Sequence, residues 1–326
     1  MNYLPEFQLL RPTTAQQAVD LRATHVASRF LAGGTDLLPN IRRGLDAPEV
    51  LIDLTGVAEL RSIRIVDEQV IIGAGTTLSS IATDRSVQER LPGLAQAAAA
   101  VAGPTHRHAA TLGGNLCLDT RCMYYNQSEP WRKGNDYCMK RGADVCRVAK
   151  KSKRCFAAYS GDVAPALLVL GGTFEVMSPA GTRRIAAADF YRDDGMAWMQ
   201  LQPQELLAAV HVPVATGWRS AYEKVRVRGS IDFALAGAAV ALHRDGDQLA
   251  GLRVALTGVA SRPVLLEGLD ALMGQPLDDA ALARLGQIAD MAASTMRTTV
   301  ADPLYRRGAA SVLATRLVRQ LWDQAA

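Results

Sequence analysis

Four of the chain's five cysteines, Cys122, Cys138, Cys146 and Cys155, fall in the stretch CMYYNQSEPWRKGNDYCMKRGADVCRVAKKSKRC, spaced C-x15-C-x7-C-x8-C. Thiolates in that number suit a bound zinc ion or an iron–sulfur cluster with cysteine ligands. A zinc knot usually carries a closely spaced cysteine pair, and no such pair occurs among these four. Disulfides are disfavoured if the chain stays in the cytosol. That compartment is the expectation, because the start, MNYLPEFQLLRP, lacks a basic and then apolar leader and no long apolar run follows. Loose core cysteines do not gather in a polar loop. The fifth, Cys117, stands two residues past Asn115 and reads as a packed thiol, or as a ligand in place of Cys122.

The cysteine stretch is also basic. Residues 121–155 hold ten Lys/Arg and three Asp/Glu, a balance of +7 in a chain of net charge +4, so the remainder carries −3. A nucleic-acid-binding module built on this loop is disfavoured by the acidic remainder. Lys150, Lys151, Lys153 and Arg154 read as a docking patch for an acidic electron carrier, or as a solvated loop. Arg132, Lys140, Arg141 and Arg147 are expected to offset the negative charge of a thiolate-bound cluster, and Trp131, Tyr124, Tyr125 and Tyr137 to exclude water.

Two glycine stretches are the second chemical signal. A glycine turn between strand and helix lets backbone N–H groups approach a phosphate. AGGTD fits, and TLGGN at 111–115 reads as another tight turn with N–H donors of its own. Each alone also reads as a purely structural turn. No GxGxxG follows a strand, so a Rossmann site is not supported. His106 and His108 have no acidic or thiolate partner nearby and read as packing or surface residues.

The elements that must position these residues are mixed. ASRFLAGGTDLLPNIRRG predicts a strand, a turn and a short helix with Thr35 or Asp36 as N-cap. EVLIDLT is a strand and SIRIVDEQVIIGAGTTL a hairpin. TLSSIATDRSVQERLPGLAQAAAAVAG is helical, broken near Pro92. After the cysteine stretch, DVAPALLVLGGTFEVMSPAGTRRIAAADFY predicts a helix and then strands turning at SPAG. A boundary falls near residue 216. Beyond it come three strands, RSAYEKVRV, AGAAVALHRDG and LAGLRVALTGVA, then helices in LLEGLDALMG, DDAALARLGQIADMAASTM and GAASVLATRLVRQLWDQ. With 326 residues, two or three domains are expected.

The ordered set LAGGTDLLP, TLGGN, DVAPALLVLGG, YEKVRVRGSIDFALAGAAVAL, GVASRPVLLEG and DPLYRRGAASVLATRL resembles the FAD-binding medium subunits of the molybdenum hydroxylases, the family of xanthine dehydrogenase and carbon monoxide dehydrogenase. The likeness spans essentially the whole chain. It implies an α+β protein: a bipartite α/β FAD-binding domain of PCMH type over 1–216, then a small C-terminal domain of antiparallel sheet plus helices over 217–326. Carried over by position, Leu31, Ala32, Gly33, Gly34, Thr35, Asp36, Leu37 and Leu38 resemble the loop around the FAD pyrophosphate. Thr111, Gly114 and Asn115 resemble the second phosphate-side loop, Asp162 the acidic residue contacting the flavin nucleotide, and Lys224 a lysine near the isoalloxazine edge.

Two departures stand out. THRH replaces a QIRN-like segment, so His108 stands where relatives have an amide. The second is an insertion, at about 119–158, that separates Asn115 from Asp162 and carries the four cysteines. Granted the family, it is expected to hold a [4Fe–4S] cluster on Cys122, Cys138, Cys146 and Cys155. Within the family it most resembles the medium subunit of the 4-hydroxybenzoyl-CoA reductases. That implies a large molybdopterin subunit and a small [2Fe–2S] subunit, a dimer of heterotrimers, and a ferredoxin-like donor. The alternative is an ordinary molybdenum hydroxylase oxidising an N-heterocycle or aldehyde. No general acid, base or nucleophile is expected on this chain.

Overall fold

The computed structural model describes residues 4–298 and 300–324. Three sheets organise them. Strands Gln8–Leu10, Val50–Asp53 and Ser28–Leu31 form a small parallel sheet with Val50–Asp53 in the middle. Parallel neighbours need a crossover: helix Leu37–Arg42 lies in the one between Ser28–Leu31 and Val50–Asp53, and the two outer strands are joined through helix Ala15–Thr24. The Thr14 hydroxyl caps this helix by accepting from the Gln17 N–H. Its Ala15, Ala18 and Val19 pack on Val50 and Ile52.

The second sheet is antiparallel throughout, ordered Ile63–Val66, Gln69–Gly73, Leu206–Pro213, Thr173–Ser178 and Gly181–Ala186. Both expected hairpins are present. The central strand Leu206–Pro213 is one that the sequence reading does not assign. Seven of its eight residues are buried, so LLAAVHVP shows no alternation to mark a strand. The helical stretch after Thr77 divides into Leu78–Thr83, Arg85–Arg90 and Pro92–Ala100. It breaks at Asp84 as well as before Pro92, because the Asp84 carboxylate accepts from the Val87 N–H at 3.0 Å and starts a new helix.

The third sheet is ordered Val264–Leu265, Gln248–Thr257, Ala236–Asp245 and Trp218–Val225, again antiparallel. Along Ala236–Asp245, alternate side chains serve two cores. Val240 and Leu242 pack with Leu285, Leu313 and Leu317 of helices Asp279–Ala292 and Pro303–Asp323. Ala239 and Ala241 join the core of helices Pro92–Ala100 and Val163–Val169. LLEGLDALMG is not the expected helix. Gly268 sits at φ +75°, which ends regular structure, and only a 3-10 turn, Asp270–Leu272, follows. Among the described residues no helix is long and apolar enough to cross a membrane.

The insertion is a closed loop. It leaves at Arg121 and returns at Ala158, where two backbone hydrogen bonds of 2.9 and 2.8 Å join the ends. Inside it the regular elements are helix Glu129–Gly134 and the 3-10 turn Met139–Arg141.

Candidate flavin cleft and cysteine pocket

A long cleft runs where the small parallel sheet, the central core and the C-terminal domain meet. The first glycine stretch forms one wall with Ala32, Gly33, Gly34, Thr35, Asp36 and Leu37. Gly33 passes so close to Ala109 that an added Cβ would lie 1.9 Å from its carbonyl oxygen. Gly34 has φ +69°. Leu31 and Leu38 lie outside the lining and close against Gly34. Among the described residues, the backbone N–H groups of Gly33 to Asp36 donate to no protein acceptor. Four adjacent unengaged donors in a glycine turn are what a pyrophosphate requires. Asp36 occupies the N-cap position of helix Leu37–Arg42 but does not cap it. Its carboxylate instead meets Arg121 and accepts from Asn40 Nδ2 at 2.9 Å. Burial pushes that carboxyl above its ordinary range, against the pull of Arg121.

The second glycine stretch behaves differently from expectation. Thr111 caps a one-turn helix, Leu112–Leu116, by accepting from the Gly114 N–H at 3.1 Å. The Gly113 and Asn115 N–H groups donate to Ala74 and Thr111 carbonyls at 2.7 and 3.0 Å. TLGGN therefore brings side chains and close backbone approach to the cleft, and not a second set of free N–H donors. Thr111, Gly114 and Asn115 still line it.

Asp162 and Lys224 meet each other. Lys224 Nζ donates to Asp162 Oδ2 at 3.0 Å, and Tyr222 Oη donates to Asp162 Oδ1 at 2.5 Å. Both charged side chains are under 5% exposed. Asp162 lines the cleft, whereas Lys224 stands outside the lining as its counter-ion. Burial pushes the Asp162 carboxyl up, and Lys224 and Tyr222 oppose the shift.

The sequence reading passed over several lining residues. Arg121, Trp198, Ile231 and Phe233 come from three loops far apart in sequence. Ile231 and Phe233 belong to the loop joining strands Trp218–Val225 and Ala236–Asp245. Three buried polar atoms on the lining residues have no protein partner: His106 Nδ1, Arg121 Nε and Trp198 Nε1. Unpartnered buried donors are costly, and a polar ligand in the cleft would satisfy them. The THRH departure thus places His106 and His108 on the cleft wall.

The cysteine insertion folds around a second hollow, lined by Cys122, Cys138, Cys146 and Cys155 together with Tyr124, Tyr125, Met139, Lys140, Arg147 and Val148. Cys117 is not there; it lines the cleft, and burial pushes its thiol up to about 12. The Tyr125 N–H points at Cys122 Sγ at 3.3 Å, and the Ala157 N–H at Cys155 Sγ at 3.4 Å. Burial pushes the Cys155 thiol up to about 12, with the Ala157 N–H and Lys140 opposing the rise. Among the described residues no three His, Cys, Asp or Glu side chains converge tightly enough for one metal ion. Around a single zinc, sulfurs at about 2.3 Å from the metal must crowd together. A cluster with one thiolate per iron spreads them further apart. Four cysteine side chains around one hollow are the donor set that a cluster with cysteine ligands uses.

The arginines of the insertion also hold its irregular backbone together. Arg132 is 1% exposed and donates to the carbonyls of Tyr125, Gln127, Arg43 and Gly44 and to Glu129. Arg141 reaches the Leu45 carbonyl at 3.3 Å, and Arg147 the Tyr137 carbonyl at 2.9 Å. A segment with little helix or sheet leaves carbonyls unpaired, and guanidinium groups satisfy several at once. Of the four basic residues named from the sequence, Lys140 and Arg147 line the hollow. Trp131 is 39% exposed and does not line it, nor does Tyr137.

The sequence model for the FAD-binding domain in molybdopterin dehydrogenase matches residues 5–215, and that for the CO dehydrogenase flavoprotein C-terminal domain matches 220–321. The chain belongs to the FAD-binding medium subunits of the molybdenum hydroxylases. This medium subunit is 34% identical over 297 residues to the aldehyde oxidoreductase FAD-binding subunit PaoB of Escherichia coli, covering 88% of this chain and 91% of that one. It is 30% identical to the carbon monoxide dehydrogenase medium chain of Afipia carboxidovorans, over 96% of both. The solved carbon monoxide dehydrogenase of Hydrogenophaga pseudoflava superposes with a TM-score of 0.82 at 27% identity, covering 99% of this chain and 100% of that one. The medium subunit thus has a PCMH-type FAD-binding domain followed by the CO dehydrogenase flavoprotein type of C-terminal domain, and it binds FAD.

Proposed function

We propose that this medium subunit is an electron-transfer chain holding FAD in the long cleft and a [4Fe–4S] cluster on Cys122, Cys138, Cys146 and Cys155. The observation that carries the reading is that all four cysteines line one hollow, and that this hollow shares its wall with the cleft. FAD supplies one- and two-electron chemistry when bound. The chain's own residues bind and tune. Gly33 to Asp36 offer backbone donors, Asp162 is held in place by Tyr222 and Lys224, and the insertion screens its thiols behind Tyr125. The division at about residue 216, with the insertion at 119–158, is part of this reading.

The substrate site belongs to another chain, a large molybdopterin subunit, with a small [2Fe–2S] subunit completing a heterotrimer that pairs into a hexamer in the cytoplasm. Two reactions remain. Reductive dehydroxylation of 4-hydroxybenzoyl-CoA, fed by a ferredoxin-like donor, rests on the likeness of the cysteine insertion. Oxidation of an aldehyde is supported by the 34% identity to an aldehyde oxidoreductase subunit over 88% of this chain. We take aldehyde oxidation as the better reading.

The test is the complex purified with its partner chains. Aromatic and aliphatic aldehydes bleach the flavin absorbance anaerobically on the preferred reading. Turnover of 4-hydroxybenzoyl-CoA with a reduced low-potential donor, and no response to aldehydes, reverses the choice. The medium subunit alone turns over neither; turnover by the isolated chain contradicts the electron-transfer role.

A further inference from the structure

Two residues, Tyr125 and Lys140, line both the cysteine hollow and the flavin cleft. Lys140 is the charged one. Its side chain is 8% exposed, and its Nζ donates to Asp119 Oδ1 at 2.6 Å, to the Thr120 carbonyl at 2.8 Å and to Thr120 Oγ1 at 2.5 Å. The same ammonium sits 4.7 Å from the centroid of the Tyr125 ring and 4.7 Å from that of Trp198. Trp198 lines the cleft with its Nε1 buried and unpartnered. The cation is therefore clamped between an aromatic ring shared by both cavities and one that belongs to the cleft. Three hydrogen bonds and two ring faces fix it there. A lysine needed only to satisfy Asp119 has no reason to occupy the partition between two cavities.

We propose that Lys140 is a positioning residue that tunes both redox sites at once, its fixed charge holding both midpoint potentials up. The inference rests on the reading above, in which the hollow holds a cluster and the cleft holds FAD. An electron added on either side adds negative charge, and a cation buried between the two stabilises it with little screening by salt. Asp119, 22% exposed and paired to Lys140, is the opposing charge. Removing either partner must therefore move both potentials, and in opposite directions. A purely structural role gives no such sign reversal. Arg147 also lines the hollow, but it does not line the cleft, so Lys140 is the cation common to both.

The experiment is an anaerobic potentiometric titration of the assembled enzyme, with the [4Fe–4S] centre followed by its own low-temperature EPR signal, apart from those of the partner [2Fe–2S] centres, and the flavin by absorbance. Lys140→Met is expected to make both potentials more negative, and Asp119→Asn to make both more positive. Lys133→Met, at an exposed position on the same insertion, leaves both in place. If Lys140→Met loses iron or FAD, Asp119→Asn and Lys140→Arg decide, the latter keeping the charge and potentials near those of the unaltered enzyme. Unchanged potentials in Lys140→Met, a shift at one site only, or the same direction for both charge removals overturns the proposal. Unaltered enzyme that shows only the partner subunit's [2Fe–2S] signals, with no [4Fe–4S] signal, contradicts the cluster reading instead, and the flavin potential alone then tests Lys140.

Discussion

Arg132 Nη2 donates to the carbonyl of Gly44 at 2.9 Å, tying the cysteine insertion to the chain just past helix Leu37–Arg42, which follows the first glycine turn. The insertion and the flavin loop are thus one mechanical unit, although their sequences lie 88 residues apart at this contact. Arg132→Met leaves four carbonyls and Glu129 without this donor. With each unsatisfied buried group costing about 1–3 kcal/mol, the insertion should lose its fold at a lower temperature than the rest. Thermal melts followed by flavin release should show early loss of FAD as well as of iron. A melting curve and FAD occupancy unchanged from the unaltered chain contradict this.

Acid should loosen the same unit. Hydrogen bonds from Arg132 and Tyr137 hold the Glu129 carboxyl below its usual range. A depressed carboxylate contributes its stability fully above the unfolded value, about pH 4.3 for Glu, and loses it as pH falls through the folded one. The fluorescence of Trp131, on the same helix, should change as pH drops below about 4. Glu129→Gln should lose that transition, and a transition that persists unchanged refutes the assignment.

The buried pair Asp162–Lys224 makes an asymmetric prediction. Lys224→Met strands a buried carboxylate, and breaking such a pair costs about 3–5 kcal/mol. Adding Asp162→Asn should recover part of the loss. Urea denaturation of the three variants measures it, and simple additivity of the two single changes argues against coupling.

How much of this was legible in the sequence depends on range. Local signals held. The glycine turn after Ser28–Leu31, the two hairpins and the strand-rich end were visible because turn residues and alternation are written in neighbouring positions. The central strand Leu206–Pro213 was not, since burial on both faces erases its pattern. Nor was the pairing of Asp162 with Lys224, 62 residues away, or the use of insertion arginines as donors to carbonyls. Trp198 and Phe233 line the cleft from irregular loops where no periodicity marks a facing side chain. The cysteines were legible by count, but only folding shows that four of them share one hollow and the fifth does not.

The glycines separate folding from binding. An added Cβ at Gly33 meets the Ala109 carbonyl at 1.9 Å, so Gly33→Ala should damage the fold itself. At Gly114 it meets only Thr111 Oγ1, at 3.1 Å. Gly114→Val should therefore fold, judged by circular dichroism, yet carry less FAD. Full FAD occupancy in that variant removes Gly114 from the flavin site.

The central claim is the cluster, and iron analysis with low-temperature EPR of dithionite-reduced protein tests it most directly. The unaltered chain should hold about four irons. Cys122→Ser, Cys138→Ser, Cys146→Ser and Cys155→Ser should each lose most of them, while Cys117→Ser, altered in the cleft and not in the hollow, should keep them. Zinc in place of iron, or equal iron content in all five variants, would contradict it.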